Sequence, residues 1–76
     1  METLNEIFDE FAKAWPSPVV AREKIADFSG GAFSSKYMAN LDSQKMGPPR
    51  IKIGRKVVYP KAQLVEFMRK RATMVH

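Results

Sequence analysis

Apolar residues near the start of the chain recur at intervals of three or four. These positions are Leu4, Ile7, Phe8, Phe11 and Trp15. The spacing predicts an amphipathic helix over residues 4–14, with its aromatic side turned toward a core. Thr3 and Glu6 match the capping-box pattern at the start of a helix, and Pro16 blocks its continuation. We therefore expect this helix to pack on the rest of the domain.

An extended segment and a second, brief helix are predicted next. Residues 17–20 contain Pro18, and a residue before proline is disfavoured in a helix. Apolar residues return at helical spacing over residues 22–28. Gly30 and Gly31 end this second helix, because glycine readily adopts the left-handed conformation that closes many helices.

A third helix is predicted from Ser34, its N-cap residue, to about Gln44. Its inner face carries Tyr37, Met38 and Leu41. Its outer face carries Ser35, Lys36, Ala39, Asn40 and Ser43, with Asp42 to one side. Two short helices joined by a glycine turn are typical of a helix-turn-helix, which would occupy residues 19–44. The alternative is an ordinary surface helix with a polar side.

A short two-stranded hairpin is predicted over residues 48–60, where two β-branched runs flank a turn that begins at Gly54. Two registers are open. A two-residue loop would leave Val57 and Tyr59 beside the cationic side chains of the first strand. A three-residue loop or a bulge gathers the apolar side chains of both strands on the core face, and we favour it. Those side chains are Ile51, Ile53, Val57 and Tyr59.

A last helix is predicted over residues 61–72, because Leu64, Phe67 and Met68 follow Pro60 at helical spacing. Its cationic end suits the negative end of the helix dipole. Residues beyond it are expected to be frayed. A chain of 76 residues supports one domain, residues 1–76. Its predicted parts are the N-terminal helix (1–15), the helix-turn-helix (19–44), the hairpin (48–60) and the C-terminal helix (61–72).

Composition excludes several classes of protein and site. The chain has no cysteine and its one histidine is His76, so disulfides and zinc fingers are excluded. We find no group of side chains that forms a nucleophile, general base or metal site, and we expect no enzyme activity, cofactor or small-molecule substrate. No apolar run approaches the roughly 20 residues that span a bilayer, and the first residues lack a signal-peptide pattern. We expect a cytoplasmic protein without a membrane partner.

Charge is distributed unevenly along the chain. The net charge is +5, yet residues 1–14 carry four acidic side chains and one basic one. From Lys45 to Lys61 there are six basic residues and no acidic one. A basic hairpin of this kind favours contact with the phosphates of nucleic acid.

The order of these elements resembles that of the excisionase-type helix-turn-helix proteins of phages and prophages, which belong to the MerR-like winged-helix group. The resemblance covers residues 19–71 and leaves 1–15 outside. It is most specific in residues 39–43, 53–60 and 64–68. It implies a mainly helical α+β fold, a winged helix-turn-helix with a two-stranded β-hairpin wing, here with an extra N-terminal helix.

In that family the second helix of the motif enters the major groove, while the wing reaches the backbone or the adjacent minor groove. The resemblance implies base contacts from Ser35, Lys36, Asn40 and Ser43. It implies backbone contacts from Arg50, Lys52, Arg55 and Lys56.

The function implied is sequence-specific binding of double-stranded DNA as a prophage excisionase-like factor that assists site-specific recombination. Partners would be a recombinase (integrase) or further copies of the chain, and the location would be the bacterial cytoplasm, associated with the nucleoid. Two alternatives stay open. One is a transcriptional regulator of a mobile element, and the other is a protein-interaction module that docks a partner through the aromatic N-terminal helix.

Overall fold

The computed structural model describes residues 3–73. Within them the chain forms helix α1 (Leu4–Ala14), strand β1 (Val19–Ala21), a 3-10 turn (Arg22–Lys24), helices α2 (Ile25–Phe28) and α3 (Ser35–Ser43), strands β2 (Ile51–Ile53) and β3 (Lys56–Pro60), and helix α4 (Lys61–Arg71). This is a small α+β arrangement that is compatible with a winged helix. None of the helices in the described range is long and apolar enough to cross a membrane. The expectation about frayed final residues falls largely on 74–76, outside that range.

Helix α1 has the predicted bounds, and its aromatic side belongs to the core. The Thr3 hydroxyl accepts from the Glu6 amide at 3.2 Å, which confirms the N-cap. The same hydroxyl also donates to the Glu6 carboxylate at 3.2 Å. The Glu6 side chain of the capping box therefore bonds to the Thr3 side chain. Phe8 is 6% exposed and its ring stacks on Phe11, with 5.5 Å between the centroids. Trp15 packs edge-on against Phe28 at 5.4 Å.

The sheet has one strand more than predicted. β1 pairs antiparallel with β3, and β2 pairs with the other edge of β3, so the strand order is β1-β3-β2. Segment 17–20 was expected only to be extended. Its last part belongs to strand β1 (Val19–Ala21), in which Val20 lies opposite Tyr59 of β3, and both side chains are fully buried.

Lys61, the first residue of α4, forms hydrogen bonds with the end of α1 and with the segment that precedes β1. The backbone amide of Lys61 donates to the Pro18 carbonyl at 2.8 Å. Its ammonium donates to the carbonyls of Ala12 and Trp15 at 2.9 and 2.8 Å, which closes the end of α1. The first and last helices are therefore joined through hydrogen bonds as well as through apolar packing.

The favoured hairpin register is wrong, and the two-residue loop is the one observed. Ile51 lies opposite Val58, Lys52 opposite Val57, and the loop is Gly54-Arg55, with φ of 63° at the glycine. Tyr59 and Val57 do face the core. The isoleucines of β2 do not, because in this register Ile51 pairs with Val58 and Ile53 with Lys56, which places both on the sheet face opposite Tyr59. Ile51 and Ile53 point to the outer face and are 46% and 61% exposed.

Helix α3 begins and ends close to the predicted residues. Ser34 is its N-cap and accepts from the Tyr37 amide at 3.0 Å. The helix closes with two hydrogen bonds, from Lys45 to the Asp42 carbonyl at 3.1 Å and from Met46 to the Leu41 carbonyl at 2.9 Å. Lys45 itself takes the left-handed conformation, with φ of 60°.

The inner face of α3 differs from expectation at one position. Met38 and Leu41 are buried, as predicted, whereas Tyr37 is 38% exposed and stacks in parallel on Phe33 with 5.5 Å between the ring centroids. The buried cluster that α3 helps to form contains Phe8, Val20, Ile25, Phe28, Met38, Leu41, Tyr59, Leu64, Val65 and Met68.

Replacing Phe8 with alanine tests whether α1 is part of the fold. We expect Phe8→Ala to lower the free energy of unfolding by about 3 to 5 kcal/mol, because it removes a buried ring and leaves a cavity. Urea unfolding followed by circular dichroism measures the change. Asp9→Ala, at the exposed neighbouring position, is the control and should stay within roughly 0.5 kcal/mol of the parent. Equal stability of both variants would make α1 an accessory.

Candidate nucleic-acid interface

A network of three polar side chains around a buried carboxylate joins α3 to the sheet. Asp42 is 4% exposed, although it was expected only to lie to one side of the helix. Its Oδ2 accepts from the Arg22 Nη2 at 2.5 Å and from the Tyr59 hydroxyl at 2.6 Å. The Arg22 Nε also donates to the Tyr59 hydroxyl, at 3.1 Å. The 3-10 turn, α3 and β3 thus meet at one carboxylate.

This environment changes the acidity of two members of the network. Burial, followed by the hydrogen bond to Asp42, raises the pKa of Tyr59. The hydrogen bond with Tyr59, followed by the one with Asp42, raises the pKa of Arg22, while burial opposes it. Tyr59 therefore stays a neutral donor, and Arg22 stays a cation that compensates the carboxylate.

The second carboxylate oxygen of Asp42, Oδ1, explains why position 47 is a glycine. A Cβ added at Gly47 would lie 2.1 Å from the Asp42 Oδ1, so no other residue fits there while the carboxylate keeps its position. The Arg50 Nη1 lies 3.9 Å from Oδ1. The loop from α3 to β2 is thus held against the same carboxylate. Asp42 follows Met38 by one helical turn, which was the sequence signal that it lies beside the core.

The residues predicted to contact bases fall into two groups. Lys36 and Asn40 are exposed, and their side chains make no hydrogen bond within residues 3–73. The Ser35 hydroxyl donates to the Arg22 carbonyl at 2.9 Å, and the Ser43 hydroxyl donates to the Asn40 carbonyl at 2.8 Å. Both serines already have a backbone partner for their one donor hydrogen.

The residues predicted to contact the DNA backbone also differ in availability. Lys52 and Arg55 are exposed and take part in no ion pair among the described residues. Arg50 is half-exposed and near Asp42, and Lys56 forms an ion pair with Glu23 at 2.9 Å. Sequence patterns did not indicate this last pairing, because its members are far apart along the chain.

An open cleft separates the hairpin from the start of α3. Its volume is about 200 Å³, and it is lined by Ala21, Arg22, Glu23, Ser35, Arg55, Lys56 and Val57. Ser35, Arg55 and Lys56, predicted from separate parts of the sequence, line this one cleft. Lys36 and Asn40 lie on α3 outside its lining.

The charged groups that line this cleft include the guanidinium of Arg55, the ammonium of Lys56 and the carboxylate of Glu23, while the amide of Asn40 and the ammonium of Lys36 are exposed on α3 outside it. The cationic groups suit phosphates, and the amide suits a base edge. No protein-family model, curated protein or solved structure matches the chain.

Tyr59→Phe tests the network through the pH dependence of stability. At neutral pH we expect the free energy of unfolding of the variant to be lower by about 1.5 to 3 kcal/mol, because the hydroxyl that it lacks donates to a carboxylate. The pKa of Tyr59 is higher in the folded state than in the unfolded chain, where a tyrosine titrates at about 10. The resulting stabilisation is fully present below about pH 10 and is lost as the pH rises through the folded-state pKa. The parent should therefore lose stability above about pH 10, and the variant should lose less.

Urea unfolding at a series of pH values from neutral to alkaline measures this difference. Tyr37→Phe, at the exposed tyrosine, is the matched control for the removal of a hydroxyl and should stay close to the parent's stability at neutral pH. If Tyr59→Phe and the parent declined in parallel, the hydroxyl of Tyr59 would not be the group responsible.

Proposed function

We propose that this chain binds double-stranded DNA in a sequence-specific way, with α3 in the major groove and the β2–β3 hairpin on the adjacent backbone as a wing. The observation that carries the proposal is the Asp42 network. It connects α3 to β3, so the outer face of α3 and the basic hairpin are presented at a fixed spacing. Reading DNA with a helix and a wing together requires such a fixed relation.

Charge supports the role of the hairpin. Lys52 and Arg55 are exposed without a carboxylate partner among residues 3–73, so their charge is available to a phosphate. Contacts of this type position a protein on the duplex and are independent of base sequence. The acidic exposed side of α1, which carries Asp9 and Glu10, is expected to face away from the DNA.

Base selectivity is assigned to α3. Asn40 is exposed and its amide is free to donate and accept at the same time, which matches the N6 and N7 edge of adenine. Lys36 lies one turn earlier on the same helix and suits guanine or a phosphate. Ser35 and Ser43 retain acceptor oxygens, but their donor hydrogens already serve the protein backbone.

The biological use that we propose is that of a prophage excisionase-like factor in site-specific recombination, supported by the resemblance of residues 19–71. One small domain offers few contacts, so neighbouring copies or a recombinase would be needed for tight binding. Gel shifts that compare the flanking attachment site with the upstream promoter separate this use from transcription control. The packing of Phe8 and Trp15 into the core counts against α1 as a free docking surface.

Arg55→Ala tests the wing. We expect affinity to fall about equally for every duplex sequence, and the slope of log K against log salt to become shallower by about 0.9, because one phosphate contact is lost. Fluorescence anisotropy across a series of salt concentrations measures both quantities. Lys13→Ala removes one positive charge from α1 and is the matched control. An unchanged slope for Arg55→Ala would remove the wing from the interface.

Asn40→Ala tests base recognition by α3. We expect folding to be intact and the preference at one base pair to relax by about 1 to 3 kcal/mol, because a bidentate contact is lost. Binding to a library of single-base variants of the preferred site measures it. Arg55→Ala provides the contrast, since its loss should be uniform. If Asn40→Ala left every relative affinity unchanged, this side chain would not read a base.

A further inference from the structure

Lys56 differs from Lys52 and Arg55 in already having an anionic partner. The Lys56 ammonium lies 2.9 Å from the Glu23 carboxylate, and the hydrogen bond from Lys56 lowers the pKa of Glu23. Both side chains are exposed. Lys52 and Arg55, on the same hairpin, have no such partner within the described residues.

The pairing follows from the fold. Strand β1 runs antiparallel to β3 with Val19 opposite Pro60 and Ala21 opposite Val58. Glu23 lies in the 3-10 turn that directly follows β1, and from there its side chain reaches Lys56 at the start of β3. The two residues also line the cleft between the hairpin and α3, together with Arg55. A carboxylate is therefore held on the surface where a DNA phosphate would approach.

We propose that Glu23 is an affinity-limiting residue of the DNA-binding surface, and that its carboxylate competes with a DNA phosphate for Lys56. This inference rests on the proposed function. A phosphate must displace Glu23 from Lys56 or share the ammonium with it, and it is also repelled by the carboxylate. The pair thus reduces binding to DNA of any sequence and increases the relative weight of contacts from α3.

A purely structural role for the ion pair has the opposite consequence. If Glu23 held Lys56 and the hairpin in a productive position, its removal would weaken binding. If Glu23 competes, its removal strengthens binding. The sign of the change in affinity therefore separates the two roles.

The experiment is Glu23→Gln in the full chain, with a labelled duplex of mixed sequence as the probe and anisotropy measured over a range of KCl concentrations. We expect affinity at low salt to rise about two- to fivefold, the range that an exposed ion pair allows. The slope of log K against log salt should become steeper by up to about 0.9, because Lys56 then engages a phosphate fully.

Two controls make the result specific. Glu10→Gln makes the same charge change on the exposed side of α1, and it should raise affinity less than Glu23→Gln does. In a Lys56→Ala background, Glu23→Gln should lose most of its gain, because the lysine that it releases is absent. A gain of equal size in that background would mean general charge repulsion and would overturn the proposal.

The remaining outcomes distinguish this inference from the proposed function. If the folded parent binds the duplex and Glu23→Gln binds with equal or lower affinity, the competition is refuted while DNA binding stands. If neither protein binds the duplex at low salt while circular dichroism shows both to be folded, the proposed function fails and the inference fails with it.

Discussion

The structure depends on one buried carboxylate. Asp42 accepts from Arg22 and Tyr59, excludes any side chain at position 47 and approaches Arg50, so α3, the 3-10 turn, β3 and the α3–β2 loop converge on it. Apolar packing alone would let short elements slide past one another, because it has little directional preference. Hydrogen bonds to a charged group are directional, and they fix where α3 lies relative to the hairpin.

Burying the carboxylate of an ion pair is an expensive way to stabilise a small domain. The cost of removing two charges from water often equals the attraction between them, and a well-packed apolar cluster of the same volume is frequently as stable. What the network adds here is a defined geometry between two surface elements. A protein that must present a helix and a hairpin to the same duplex needs that definition, which fits the function we propose.

The hairpin shows how electrostatic and packing demands divide a strand pair. β3 is the central strand, hydrogen-bonded to β1 and β2, and it contributes Tyr59 and Val57 to the core. β2 is an edge strand, and neither of its isoleucines belongs to the core. The exposed strand is thereby free to carry Lys52 toward solvent. Lys56, on β3, instead forms an ion pair with Glu23, which lies in the 3-10 turn after β1.

The sequence by itself determined α1, α3, α4, the glycine turn, the existence of the hairpin and the unequal charge of its ends, because helical periodicity, caps and β-branched runs are local signals. Only the tertiary structure decided the third strand, the hairpin register, the burial of Asp42 and the Glu23–Lys56 pair. The third strand, the contact between Arg22 and Asp42, and the Glu23–Lys56 pair each join residues about 20 to 40 positions apart in sequence. Which face of a three-residue strand is buried cannot be inferred from its own pattern, because the neighbouring elements decide what covers it.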